Sequence, residues 1–226
     1  YFIRGNVKYT VESETRQLKE GDFLLIAPGK YHFATVDLSE PYERYVLKFP
    51  KRILPDFMLK KIEENDITFI KSTSARETLD NFDLYFHTLS DDDLFVVFVC
   101  ETLKILTLAR HSVSQPTERK PEIINLIISY INANIQKPIT MKTLVDEFHY
   151  SRSYISMEFK RHMSVSIMQY IRYKKIYAVH ELILNGAKKQ ETAEKFGFET
   201  YSTFYRAYKK FEKSSSTYNV GAVTKL

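Results

Sequence analysis

Cysteine is almost absent from this chain. The single residue, Cys100, lies in the apolar run 94–100, which excludes a disulfide scaffold and predicts a buried thiol in a reducing compartment. Long hydrophobic runs are missing as well. None approaches the ~20 residues needed to cross a bilayer, and no secretory signal is visible. A cytoplasmic protein with no membrane partner is therefore expected. Catalytic punctuation is equally sparse: there is no phosphate-binding glycine loop, no nucleophile elbow and no CxxC pair. His87, His111, His149, His162 and His180 are scattered without HxxxH spacing. These absences speak against an enzyme, and no cofactor is expected. The chain also opens at Tyr1 in what reads as mid-strand, which predicts a preceding N-terminal piece.

What is present is apolar and aromatic. The 226 residues are 44% hydrophobic and 14% aromatic, enough for packed cores in one large or two medium domains. Net charge is +5, unevenly spread. Residues 1–120 carry 17 basic and 19 acidic side chains, whereas residues 121–226 carry 16 basic and 9 acidic. All the excess positive charge thus falls in the second half, as a phosphate-binding module or a solvated lysine-rich surface would have it.

The first ~50 residues alternate between short apolar runs and turns. Residues 7–11 read as a period-2 strand and 23–26 as a short buried one, with turns at Glu20-Gly21-Asp22 and Ala27-Pro28-Gly29-Lys30. Residues 42–49 alternate again until Pro50. This spacing predicts a β-sandwich or small barrel. From Pro55 the pattern turns helical, with helices over 74–89 and 91–110, the second capped by Asp91-Asp92-Asp93. Its broad apolar stripe fits either a dimer seam or a helix packed on its own barrel. Residues 112–120 are polar and read as a linker ending at Pro121.

The second half is helical throughout and contains one device twice. Thr140 caps a helix with Leu144, Val145 and Phe148 on its core face, and Ser151 caps the next, with core residues Ile155 and Phe159. The second copy spans residues 193–206, where Gly197 can adopt the positive φ of a tight turn. Phe198, Phe204 and Phe211 anchor its second helix. Between the copies, residues 166–184 form a connector ended by Asn185-Gly186. At ~1.5 Å per residue the connector is ~28 Å long, comparable to the ~34 Å repeat of major-groove faces on B-DNA.

Residues 123–219 resemble the DNA-binding domain of the AraC/XylS family of bacterial transcription regulators. The resemblance rests on Tyr130-Ile131, Ser151, Tyr154-Ile155, Phe159-Lys160, Tyr170, Ala178, Ala193, Gly197-Phe198, Ser202, Phe204 and Tyr208-Lys209-Lys210. Residues 18–28 followed by His32 are similar to that family's cupin-type effector domain. The chain departs from the pattern at Ser164 (usually glycine), at Lys189 and Thr192 (usually apolar), and at Ser214 and Thr217. The Lys189 and Thr192 departures predict a weaker core in the second copy.

The resemblance implies an α+β multidomain fold. A cupin-like β-barrel with trailing helices would occupy residues 1–112, a linker 113–120, and an all-α domain with two helix-turn-helix units 121–226. It implies double-stranded DNA as partner, a homodimer, and RNA polymerase and a small-molecule effector as candidate partners. Carried onto this chain, the first DNA-contacting face is Ser153, Ser156 and Met157, edged by Arg152 and Lys160. The second is Tyr201, Ser202, Tyr205 and Arg206, with Lys209 and Lys210 beyond. Arg206 suits bidentate bonding to guanine O6 and N7. Arg152, Lys160 and Lys209 suit phosphate. Tyr9, Tyr31 and His32 are the candidate effector contacts. His32 has no second histidine before His87, so a cupin metal cluster is not supplied. Alternative readings are a regulator whose vestigial barrel only dimerises, and a cupin enzyme fused to a helical domain.

Overall fold

The computed structural model describes residues 1–12, 14–63, 67–71, 73–109, 118–119, 121–198, 200–216 and 223–225. Linker positions 113–117 and 120, along with His111 and Thr217, lie outside them. By contacts the chain divides into two units. The first comprises Tyr1–Val11, Thr15–Glu118 and Tyr218–Leu226; the second comprises Glu12–Glu14 and Arg119–Thr217.

The first unit is rich in strands. In chain order it holds β1 (Phe2–Arg4), β2 (Asn6–Val11), β3 (Glu14–Gln17), β4 (Asp22–Ile26), β5 (His32–Asp37) and β6 (Glu43–Leu47). Then come α1 (Asp56–Glu63), β7 (Ile67–Lys71), α2 (Thr73–Thr88), α3 (Asp91–Ala109), β8 (Glu118–Arg119) and, from the far end of the chain, β9 (Val223–Lys225). They form sheets in the orders β5-β2-β3-β8, β1-β6-β9 and β4-β7. Alternation explains the apolar run at 23–26. Phe23 and Leu25 join one core with Ile3, Tyr45, Leu79, Phe82 and Phe98, whereas Leu24 and Ile26 join another with Phe2, Val7, Val11 and Leu18. A strand covered on both faces needs no polar side, so its sequence reads as continuous hydrophobics. Tyr45 also donates from its hydroxyl to Asp80 (2.7 Å), tying β6 to α2.

Three local expectations change. The helical reading after Pro55 misses β7, which pairs antiparallel with β4 from Asp22↔Lys71 to Ile26↔Ile67. The β-branched and aromatic run Ile67-Thr68-Phe69-Ile70 is the signal for it. The cap of α3 is Ser90, whose hydroxyl accepts from the Asp93 backbone N–H (3.2 Å) and donates to the Asp93 carboxylate (2.6 Å). Cys100 is exposed, not buried. Phe98, Thr102, Ile105 and Leu106 take the core side of α3, and Cys100 projects roughly 200° from Phe98 at 100° per residue. One face of α3 thus packs on its own strands, while Phe95, Val96 and Leu108 stay exposed.

The second unit is a helical assembly of α4 (Glu122–Ala133), α5 (Met141–Phe148), α6 (Arg152–Met163), α7 (Ile167–Leu184), α8 (Lys189–Lys195) and α9 (Tyr201–Ser216). Local chemistry sets its boundaries. Thr140 with Thr143, and Ser166 with Gln169, form reciprocal capping boxes at the starts of α5 and α7. Ser151 accepts from the Tyr154 N–H at the start of α6, and Thr200 from the Thr203 N–H at the start of α9. Past α7, Gly186 turns at φ +91° while the Ala187 N–H reaches the Leu182 carbonyl (3.0 Å). That is the 6→1 bond of a Schellman stop.

Candidate nucleic-acid interface

The two helix-turn-helix copies are α5-turn-α6 and α8-turn-α9, joined by α7. Each turn needs one residue in the left-handed region. Gly197 supplies it in the second copy at φ +71°, and His149 supplies it in the first at φ +57°. Glycine marks such a turn in sequence, whereas a histidine occupies it too rarely to mark one by itself. Ser164, where the family usually has glycine, is likewise left-handed at φ +57° and closes α6.

Each second helix of a copy buries one face and presents the other. On α6, Ile155, Glu158, Phe159 and Met163 are buried, while Arg152, Ser153, Ser156, Met157 and Lys160 are exposed. On α9, Phe204 and Tyr208 are buried, while Tyr201, Ser202, Tyr205, Arg206, Lys209 and Lys210 are exposed. The expected contact residues therefore line one outward face per helix. Their electrostatic states differ. Among the described residues Arg206 makes no ion pair. Lys209 is engaged, lying 2.9 Å from the Glu212 carboxylate and 5.7 Å over the Tyr205 ring. That hydrogen bond holds the Lys209 ammonium above the usual lysine range and pulls Glu212 below the usual carboxylate range. Arg161, next to Lys160, is committed to the buried Glu158 at 2.6 Å.

The sequence reading overlooks an aromatic pair on this side of α6. Tyr150 and Tyr154 stack at 5.0 Å with a 26° interplanar angle, and both are exposed. Their i, i+4 spacing across the Ser151 cap is the signal that could have found them.

The second copy does not have the weak core its sequence suggests. Thr192 is buried, but its hydroxyl donates to the Lys188 carbonyl one turn back (2.8 Å), so no polar group is stranded. Lys189 lays its ammonium 5.1 Å over the Tyr208 ring, near Glu212 at 4.0 Å. Ala193, Phe196, Phe204 and Tyr208 then pack with Ile176 and Val179 of α7.

In the first unit, Tyr9 on β2 and His32 at the start of β5 come together, their rings 6.2 Å apart and inclined by 17°. Burial pushes the Tyr9 hydroxyl up to about 12. His32 is exposed, its Nδ1 2.9 Å from the Lys30 carbonyl oxygen. Tyr31 packs instead against Phe33 at 6.1 Å. The structure thus brings two of the three candidate effector contacts into one place. No group of three metal-ligating side chains occurs among the described residues, and no described helix is long and apolar enough to cross a membrane.

Comparison with known proteins agrees with this two-part layout. Residues 1–95 match the AraC-like ligand binding domain, and residues 144–217 match a helix-turn-helix domain. An uncharacterized response regulatory protein of Staphylococcus epidermidis is 27% identical over 166 residues, covering 73% of this chain and 59% of that protein. The transcriptional regulatory protein HptR of Staphylococcus aureus is 30% identical over 108 residues, covering 46% of this chain and 43% of HptR. The chain thus spans about half the length of these curated relatives. Among solved structures, the C-terminal domain of AraT, a response regulator from Geobacillus stearothermophilus, is 23% identical with a TM-score of 0.39, covering 41% of this chain and 78% of that one. An apo ToxT from Vibrio cholerae is 13% identical with a TM-score of 0.41, covering 92% and 86%. With a ligand-binding domain and a helix-turn-helix domain matched in that order, the chain belongs to the AraC/XylS family of bacterial transcription regulators.

Proposed function

We propose that the chain is a sequence-specific DNA-binding transcription regulator, active in the cytoplasm, whose helices α6 and α9 enter successive segments of the major groove. The observation that carries this reading is the paired construction of the second unit: two capped helices, each with a buried apolar face and an exposed polar and cationic one. The connector α7 has 18 residues, about 27 Å at 1.5 Å each, close to the ~34 Å between successive groove faces.

In this reading Arg206 reads a guanine edge, because its guanidinium is exposed and pairs with no carboxylate among the described residues. Arg152, Lys160 and Lys210 hold phosphates, as does Lys209 once it leaves Glu212. Ser153, Ser156 and Met157 offer no bidentate code, so α6 reads thymine methyls and groove shape. Tyr150 and Tyr154 add hydroxyls suited to phosphate oxygens, and Tyr201, Ser202 and Tyr205 do the same on α9. Hydroxyl-radical footprinting on a bound duplex tests the claim. Two protected segments about one turn apart on one face are expected, and a single protected segment overturns it.

The match to a ligand-binding domain supports a small-molecule effector, with Tyr9 and His32 as first candidates for contact and Tyr31 on their periphery. The exposed stripe of Phe95, Val96 and Cys100 on α3 supports a homodimer seam. RNA polymerase is the further partner that an activator would need. Screening metabolites for thermal stabilisation of the full chain separates an effector-responsive regulator from one whose barrel only dimerises: a metabolite that stabilises wild type but not Tyr9→Ala supports the former.

A further inference from the structure

A buried lysine on the connector joins the two helix-turn-helix copies. Lys175 on α7 is 8% exposed. Its ammonium donates to the Lys137 carbonyl at 3.0 Å, in the loop leading into α5, and to the Phe196 carbonyl at 2.6 Å. Phe196 ends α8 and precedes Gly197, so the second bond lands on the turn that aims α9. Carbonyls at a helix end lack intrahelical partners and carry partial negative charge, which a cation satisfies.

The surrounding geometry is close. A Cβ built on Gly197 would stand 3.4 Å from the Lys175 ammonium and 3.9 Å from the Pro138 ring, so the loop into the first copy abuts the turn of the second. Ile135, from that same loop, packs on the core of the second copy. The loop is itself ordered, with the Lys137 N–H on the Asn134 carbonyl (2.8 Å) and the Lys137 ammonium on the Asn134 side-chain oxygen (3.0 Å). Three residues after Lys137, Thr140 caps α5.

We infer that Lys175 is a positioning residue that fixes α9 relative to α6 and thereby restricts the protein to one spacing between two DNA segments. The inference rests on the DNA reading proposed above. A hydrophobic replacement such as Lys175→Met would fill the stem's volume, strip the ammonium from both carbonyls and leave the Phe196 carbonyl unpaired in a buried place. The two copies would then keep α7 and the apolar contact of Ile135 but lose the polar tie between them, and would rock more freely.

Two measurements on the full chain test this, the first without DNA. In a Cys100→Ser background, spin labels at Ser156→Cys and Ser202→Cys report the distance between the two exposed faces by pulsed electron resonance. One narrow population is expected with Lys175, a broadened one with Lys175→Met, and recovery with Lys175→Arg, which keeps charge and several donors. The second measurement uses unlabelled protein on duplexes whose spacer is lengthened or shortened by one base pair. Wild type should lose about tenfold or more per step, the worth of one charge-assisted hydrogen bond, while Lys175→Met binds the spacers alike. A narrow distance and intact spacing preference in Lys175→Met would overturn the inference. If wild type prefers no duplex while the distances behave as expected, the DNA reading fails and the clamp stands. Should Lys175→Met not fold, Lys175→Gln, which keeps a donor without the charge, carries the same measurements, and an unbroadened distance there is equally fatal.

Discussion

Replacing Arg206 with alanine separates base reading from phosphate binding. Arg206 is exposed on α9 and makes no ion pair among the described residues, so its truncation breaks none there. Stability should therefore stay within ~0.5 kcal/mol of wild type, as for other exposed positions. A lost bidentate contact to guanine costs ~1–3 kcal/mol, or roughly 5- to 150-fold in affinity for the preferred base. Little should change for the other three bases at that position. Lys160→Ala gives the opposite signature. Losing one phosphate contact lowers the log–log salt slope by about 0.9 and weakens every sequence equally. Lys209→Ala should lower the slope by less, because its ammonium already sits 2.9 Å from the Glu212 carboxylate. Fluorescence anisotropy with four duplexes differing at one base pair, each titrated with salt, reads both quantities together. If Arg206→Ala weakened all four duplexes alike and flattened the slope, Arg206 would be a phosphate contact and the assignment of base readout would be wrong.

Other expectations concern stability. Ser164→Gly should stabilise by about 0.5–1 kcal/mol, since Ser164 holds φ +57°, where a Cβ is strained; a lower denaturation midpoint in urea would contradict this. Phe204→Ala should cost ~3–5 kcal/mol, because the ring is fully buried and packs within 5.8 Å of the Phe198, Tyr201 and Tyr208 rings. Helicity measured by circular dichroism should fall in parallel. Thr102→Val should stabilise α3 by ~1 kcal/mol, as the Thr102 hydroxyl is buried with no hydrogen-bond partner among the described residues. Tyr9 gives a pH dependence. Its hydroxyl is raised from 10.0 to about 12 by burial, so between those values the unfolded chain releases a proton that the folded chain keeps. Stability present below pH 10 is thus lost as pH rises toward 12. Tyr9→Phe should show a smaller decline in urea midpoint over that range, and an equal decline would refute the burial argument.

Much of the helical unit was legible because its signals are local. Thr140, Ser151 and Ser166 announce helix starts through side-chain chemistry within three residues, and Asn185-Gly186 announces a stop. Gly197 marks its turn because glycine takes positive φ freely. His149 takes the same left-handed conformation in the first copy at φ +57°, with no glycine in the sequence to announce it. Lys175 was invisible for a related reason. Its two acceptors are backbone carbonyls 38 and 21 residues away, and a lysine inside a basic run reads as solvated surface. The strand-rich unit was less legible at its joints. Residues 23–26 read as a strand on their own, whereas their partner β7 lies between helical patterns that mask it. Residue type alone makes Lys189 and Thr192 costly in a core, but an aromatic ring accommodates the first and a backbone carbonyl the second.

If α6 and α9 together read one bipartite site, sequences selected from a pool of random duplexes by the full chain should carry two short preferred segments. Their centres should lie about one helical turn apart, ~10 base pairs, the α9 segment containing a guanine whose preference disappears in Arg206→Ala. A pool that stays random, or a single uninterrupted motif unaffected by changes on either helix, would contradict it.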